Sequence, residues 1–200
     1  MLEALYTIGH SNQSLEDFFK LLELHSITAV ADVRSQPYSK MNPQFDREAL
    51  SKELKARDIA YVFLGKELGA RSEDPACYIE GQVQFERLAK TALFQEGIAR
   101  VLSGMEQYRV ALMCAEKEPL SCHRTILVAR HFDESGIHIQ HILSGGALES
   151  HKAAIERLMH SLELDQPNMF FTKEELIAEA YRIHAQNIAY QRDDSNVLVD

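Results

Sequence analysis

The chain of 200 residues is 46% hydrophobic and 26% charged, with a formal net charge of −9. That is the composition of an ordinary globular protein with one sizeable core, and no apolar run approaches the roughly 20 residues of a membrane helix. The acidic balance withholds any general attraction for phosphate backbones, and the N-terminus lacks the basic and apolar regions of a secretory signal, which favours a cytoplasmic location.

Five short apolar runs are rich in β-branched and aromatic residues: Leu5–Ile8, Ile27–Val33, Ile59–Leu64, Arg109–Cys114 and His138–Leu143. Stretches with helical spacing lie between them. Ser14 can cap a helix whose apolar face is Leu15, Phe18, Phe19 and Leu22. Asp46 can cap a second, with Leu50 and Leu54 inward. A longer pattern runs from about Val83 to Met105, interrupted near Gly97. Thr125 to Phe132 forms the next, with Ser121 as its cap and Cys122 in its first turn. Ser144-Gly145-Gly146 reads as an exit, followed by helical stretches near Ala147–Leu162 and Thr172–Tyr190, separated by Asp165-Gln166-Pro167-Asn168. Thr172 and Glu175 have capping-box spacing. The end, Gln191 to Asp200, is polar and expected to fray.

Alternating strands and helices, with near-continuously apolar strands, predict an α/β fold. The expected architecture is an open, mainly parallel sheet of about five strands with helices on both faces, spanning residues 1–146. A helical C-terminal extension, 147–200, would pack on it or on a second copy of the chain.

Ligands of open parallel sheets bind beyond the carboxyl ends of the strands. The segments at those ends are polar here: His10-Ser11-Asn12, then Asp32 and Arg34 with Ser39, then Gly69 and Arg71, then Cys114, Glu116 and Glu118 before Cys122-His123-Arg124. Each has a plain structural alternative. His10 can turn the chain by bonding backbone. Asp32 and Arg34, two apart on a strand, can pair with each other or hold an anion. Cys114 ends an apolar strand and reads as a buried inert thiol. Glu116 and Glu118 can be solvated loop residues, and Cys77 has no assigned role.

Cys122-His123-Arg124 is the strongest signal. A helix N-terminus offers free N–H groups and a positive dipole end, which acidify a thiol and favour an anion. Successive helical side chains diverge by about 100°, so partners for Cys122 can also come from other strand ends. The spacing does not fit the Cys-x5-Arg loop of cysteine phosphatases, a Walker loop, or a common zinc module. No metal site is therefore expected, and no cofactor is indicated.

In order, Thr7-Ile8-Gly9-His10-Ser11-Asn12, Asp32-Val33-Arg34-Ser35 with Pro37 and Ser39, Pro43-Gln44-Phe45, Leu68-Gly69 with Arg71, Cys114-Ala115-Glu116, Cys122-His123-Arg124 and His141-Ile142 resemble the family called domain of unknown function 488. The resemblance covers about residues 5 to 145. It implies an α/β fold with an active or binding edge and brings no established reaction.

The expected function is an enzymatic site for a small anionic ligand, phosphate or nucleotide-like. Cys122, His123, His10 and Glu116 would do the chemistry, and Arg124, Arg34, Asp32, Ser11, Ser39 and Arg71 would bind the ligand. The alternative is a binding module for nucleic acid without catalysis, which the net charge disfavours. Self-association through the C-terminal helices is compatible with either.

Overall fold

The computed structural model describes residues 4–166 and 169–192. Pro167 and Asn168 of the expected separating turn, and all but the first two residues of the polar C-terminal end, lie outside them.

In chain order the elements are β1 (Leu5–Gly9), α1 (Leu15–Leu24), β2 (Ala29–Asp32), α2 (Arg47–Lys55), β3 (Ala60–Phe63), α3 (Gly65–Leu68), a hairpin of β4 (Tyr78–Ile79) and β5 (Gln82–Val83), α4 (Phe85–Leu88), α5 (Ala92–Met105) and β6 (Val110–Cys114). A π-helical turn (Arg124–Ala129) then runs into α6 (Arg130–Glu134), followed by β7 (Ile139–Ile142), β8 (Leu148–Ser150), α7 (His151–Ser161) and α8 (Lys173–Ile188). The main sheet has six strands in the order β3-β2-β6-β1-β7-β8. The first five are parallel, and β8 runs antiparallel to β7.

Strand periodicity divides the core in two. Tyr6, Ile8, Val30, Ala111 and Met113 pack with Phe18, Phe19 and Leu22 of α1 and Leu50 and Leu54 of α2 on one face. Leu5, Ala29, Ala31, Leu112 and Cys114 pack on the other, with α5, the π turn, α7 and α8. The five expected strands are all present, each apolar residue set pointing where its parity sends it.

Four local expectations need correction. Asp46 stands at the N-cap of α2, but its side chain makes no capping bond there; Oδ1 accepts the Ser39 N–H instead at 2.8 Å. The long pattern breaks before Thr91, the cap of α5, and Gly97 lies inside that helix. A Cβ at Gly97 would meet the Leu68 and Glu67 side chains within 2.8 Å, so glycine is there to let α3 and α5 approach. Gly146 (φ +83°) turns the chain into β8, so the helix expected from about Ala147 starts later, at His151, with Ser150 as its cap. Cys122, not Ser121, is the residue from which the helical segment at 124 starts.

Candidate functional site

The chain leaves β1 toward α1 on one face of the sheet and leaves β6 toward the π turn on the other. Loops parting at neighbouring strand ends open a crevice, the usual place for a ligand in such sheets. The two loops are laced together: His10 N–H donates to the Cys114 carbonyl at 3.0 Å and Ser11 N–H to the Ala115 carbonyl at 2.8 Å. Gly9 makes the lacing possible, since a Cβ there would sit 1.9 Å from the Glu116 carbonyl oxygen.

On the α5–α8 face lies a cluster of sulfur and nitrogen. Pro119–Ser121 form a 3-10 turn, after which Cys122 is extended (φ −137°, ψ 138°) and its carbonyl accepts the first N–H groups of the helical segment. Its sulfur accepts the Arg124 N–H at 3.4 Å, the role a serine hydroxyl plays at a helix start. Cys122 Sγ also lies 3.0 Å from Glu116 Oε2 and 3.9 Å from His123 Nδ1. Cys114 Sγ is 3.8 Å from the same nitrogen. His123 Nε2–H donates to the Val33 carbonyl at 3.1 Å, which leaves Nδ1 facing the sulfurs. The donor atoms of Cys114, Cys122 and His123 all lie within 4.8 Å of one another; among the described residues no other group of three His, Cys, Asp or Glu side chains does this. Cys122 itself is 1% exposed, covered by the loop that carries Glu116.

The electrostatics separate the two thiols. Burial opposes ionisation of Cys122, but a hydrogen bond with Cys114, the Arg124 guanidinium and His123 hold it well below an ordinary thiol. Its bond with Cys122, and then burial, drive Cys114 well above. Ionisation of the pair is thus favoured at Cys122 and disfavoured at Cys114. Burial and the Cys122 charge raise the Glu116 carboxyl. Burial disfavours a charged His123, and the bond to Cys122 and the thiolate overcome it.

On the α1–α2 face a different network forms. Arg34 binds Asp32 in a fork, Nε to Oδ1 at 2.9 Å and Nη2 to Oδ2 at 2.6 Å, and Nη2 also donates to the Phe45 carbonyl at 2.9 Å. Tyr61 Oη donates to Asp32 Oδ2 at 2.8 Å. His10 Nδ1–H donates to the Ser11 carbonyl, and its Nε2 accepts from Arg34 Nη1 at 3.2 Å. The ring stacks on Phe45 at 4.3 Å. Burial and the Arg34 charge lower its pKa to about 4, so it is neutral at pH 7. A cleft of about 280 Å³ opens beside this network, lined by His10, Ser11, Asn12, Arg34, Ser39 and Asn42 among others. A larger cleft of about 780 Å³, against the π turn and α8, contains none of the sheet-edge residues.

The expected site residues therefore share one edge but divide between its faces. Cys122, His123, Glu116 and Arg124 come together. His10, Arg34, Ser11 and Ser39 come together at the cleft, with Asp32 buried behind Arg34. Arg71 joins neither: its guanidinium stacks 4.3 Å over Tyr190, just past the end of α8. Arg124 is fully buried and donates to the carbonyls of Glu116 (2.7 Å) and Lys117 (3.3 Å). Asp32 and Arg34 take the ion-pair alternative, and His10 Nε2 is occupied by Arg34.

Cys114 carries more of the site than its apolar strand suggests. Its parity with Leu112 puts it on the α5–α8 face, but nothing in the sequence brings residue 122 back to it. A buried chain of hydrogen bonds on that face also lacks a signature in the sequence. Thr7 Oγ1, His141, His151 and Tyr181 Oη are linked at 2.8, 3.1 and 2.7 Å.

Fold and edge together define a class of protein: an open, mostly parallel α/β sheet whose carboxyl edge carries a buried cysteine–histidine cluster and a polar cleft. A family model described as "Domain of unknown function DUF488" matches residues 14–131. The chain belongs to that family. The match holds Cys114, Cys122, His123 and Arg124, while the Gly9-His10-Ser11 and His141-Ile142 segments fall outside it. No curated protein and no solved structure matches the chain. Among the described residues no helix is long and apolar enough to cross a membrane.

Proposed function

We propose that the sheet edge is a cysteine-centred enzymatic site acting on a small anionic ligand of the phosphate or nucleotide-like class. The observation that carries this reading is the set of groups around one sulfur. Cys122 Sγ accepts a helix-terminal N–H, faces His123 Nδ1 and touches Glu116. Such an arrangement holds a thiolate and places a proton carrier beside it. In this reading Cys122 is the nucleophile, His123 carries the proton, and Glu116 covers the sulfur until its loop moves.

The ligand's place is the cleft one loop away, where Ser11, Asn12, Ser39, Asn42 and the Arg34 Nη1 edge supply polar contacts. The anion-binding part is narrower than the arginine count suggests. Arg34 is neutralised by Asp32, and Arg124 is spent on loop carbonyls, so its charge acts on Cys122 rather than on a ligand.

The test is differential thiol labelling. Cys77 is equally buried and serves as the internal control. With iodoacetamide at neutral pH, followed by peptide mass analysis, Cys122 should label at least tenfold faster than Cys77. Phosphate or a nucleoside monophosphate should slow it. Equal labelling of the two, with no effect of either anion, would remove the reading.

A further inference from the structure

The spacing of Cys114, Cys122 and His123 along the chain gives no reason to place a metal, but their arrangement in space does. We propose that these three residues, with Glu116 as a fourth donor, form a site for a thiophilic divalent cation of the zinc type, and that loading it caps Cys122. This rests on the Cys122-centred reading above and adds its regulation.

Geometry carries the argument. A tetrahedral zinc holds sulfur at about 2.3 Å and nitrogen at about 2.0–2.1 Å. Two such ligands are then about 3.5 Å apart. The sulfurs of Cys114 and Cys122 stand 3.8 and 3.9 Å from His123 Nδ1. All three donor atoms lie within 4.8 Å of one another, so a modest closing of the cluster would place them on one ion. Glu116 Oε2 is 3.0 Å from Cys122 Sγ but lies outside that set of three, and it would have to swing in from its loop to complete the site. The second layer is also in place. A ligating histidine usually donates its other N–H to a fixed acceptor, which sets the tautomer and the ring plane. His123 Nε2–H does so to the Val33 carbonyl.

Charge balances as well. Two thiolates and a neutral imidazole neutralise a divalent cation. A Glu116 carboxylate adds one negative charge, and the Arg124 guanidinium, bonded to the Glu116 carbonyl, offsets it. Two thiolates with an imidazole favour zinc-type or monovalent copper ions over magnesium or calcium, which take oxygen. The site is closed on its sheet side by Cys114 and Val33, and Glu116 is the single donor on an exposed loop. Exchange of that carboxylate gives the ion its way in and out. With the ion bound, the Cys122 lone pair is engaged, so the loaded and the nucleophilic forms of the site exclude one another.

The experiment uses the full chain, stripped with a chelator and then titrated with Co2+ as a spectroscopic stand-in and with Zn2+ against a chromogenic chelator. One ion should bind per chain. Cobalt should give thiolate-to-metal charge-transfer absorption together with the d–d bands of a tetrahedral ion. Cys114→Ser and Cys122→Ser should each weaken that absorption, and Glu116→Gln, which removes a charged donor, should weaken affinity by about tenfold or more, no less than the cost of disturbing a group behind the ligands. Zn2+ should slow iodoacetamide labelling of Cys122 at least tenfold in the wild-type chain. Absence of charge-transfer absorption in the wild-type chain would overturn the proposal, whether or not metal binds elsewhere. Unchanged labelling in a chain that does show the absorption would overturn the capping role. A stripped chain that labels Cys122 rapidly but takes up no cobalt would sink the metal site and leave the thiol reading standing. A chain that binds cobalt but never labels at Cys122 would do the reverse.

Discussion

His123 Nε2 lies 3.1 Å from the Val33 carbonyl oxygen, and this single bond ties the end of β2 to the Cys122 segment. It also decides which ring nitrogen faces the sulfurs. His123→Phe keeps the ring volume and removes both nitrogens. The Val33 carbonyl, on the α5–α8 side of the edge, then loses its side-chain partner. Stability should fall by about 1–3 kcal/mol, the range for stranding a buried polar group, measured by urea denaturation. Iodoacetamide labelling of Cys122 at neutral pH should slow, because the thiolate loses a supporting neighbour. Unchanged stability and unchanged labelling would mean that the bond holds nothing.

Gly9 is the point at which the β1 loop and the β6 loop touch. In Gly9→Ala the new methyl would overlap the Glu116 backbone, at 1.9 Å from its oxygen and 2.8 Å from its carbon. Backbone cannot rotate away as a side chain can. The loop must move, at a cost of about 1–3 kcal/mol for overpacking, and Glu116 must leave Cys122. The expected result is a lower melting temperature together with faster labelling of Cys122. A less stable chain with slower labelling would contradict the covering role given to Glu116.

Asp32 and Arg34 form a buried fork and share it with Tyr61 and Phe45. Removing one charge leaves the other buried without its counterion. Asp32→Asn should cost about 3–5 kcal/mol. Replacing Arg34 by Lys should also destabilise, because an ammonium cannot make the fork and reach both Phe45 and His10. If Arg34 were chiefly a ligand group, Asp32→Asn would free its charge and tighten phosphate binding in a chain of normal stability. Calorimetric titration with phosphate separates the two outcomes.

Cys122 caps a helical segment through sulfur. Cys122→Ser retains an acceptor for the Arg124 N–H, whereas Cys122→Ala does not. The serine variant should lie within about 0.5 kcal/mol of the wild type, and the alanine variant should lose roughly 1 kcal/mol. Both abolish thiol chemistry, so the pair separates structural loss from chemical loss. Equal destabilisation would show that the cap contributes nothing.

The strands are legible because their information is local: five apolar runs of the right length, each with Gly, Pro or polar residues at its ends. The edge is legible too, because a parallel α/β order places strand ends together. Which face each group occupies is not. Cys114 and Asp32 both end strands, but their parities send the first to the α5–α8 side and the second to the α1–α2 side. That division depends on the register of β2 against β6. The short strand Leu148–Ser150 falls within a helical pattern in the sequence, because three residues carry too little signal to reveal antiparallel pairing with β7. The contact of residue 122 with residue 114 depends on the 3-10 turn between them, which no periodicity announces.

The buried chain from Thr7 through His141 and His151 to Tyr181 makes folding sensitive to pH. Burial, with His151 and then Arg124 and Arg157 nearby, holds His141 well below its ordinary value; Cys122 opposes this slightly. Burial also lowers His151, against the pull of Asp133 and Glu134. Neutral rings suit the chain, since each has one N–H and one acceptor, whereas two charged rings would turn N–H toward N–H at the 3.1 Å contact. Linkage fixes the sign. Well above pH 6.5 both rings are neutral folded or unfolded, so they add no pH dependence there. As pH falls below 6.5 the unfolded chain takes up protons that the folded chain refuses, and stability drops. Each such group contributes a slope of up to about 1.4 kcal/mol per pH unit. Urea denaturation at several pH values between about 5 and 6.5 should show the decline, before most carboxylates titrate. His151→Gln removes one titrating ring while keeping a donor and an acceptor, so the slope should become shallower by about 1 kcal/mol per unit. His10, held low by burial, adds the same sign and His123, held high, opposes it, so the difference between variant and wild type decides: a variant slope as steep as the wild type would show that the two rings do not carry the effect.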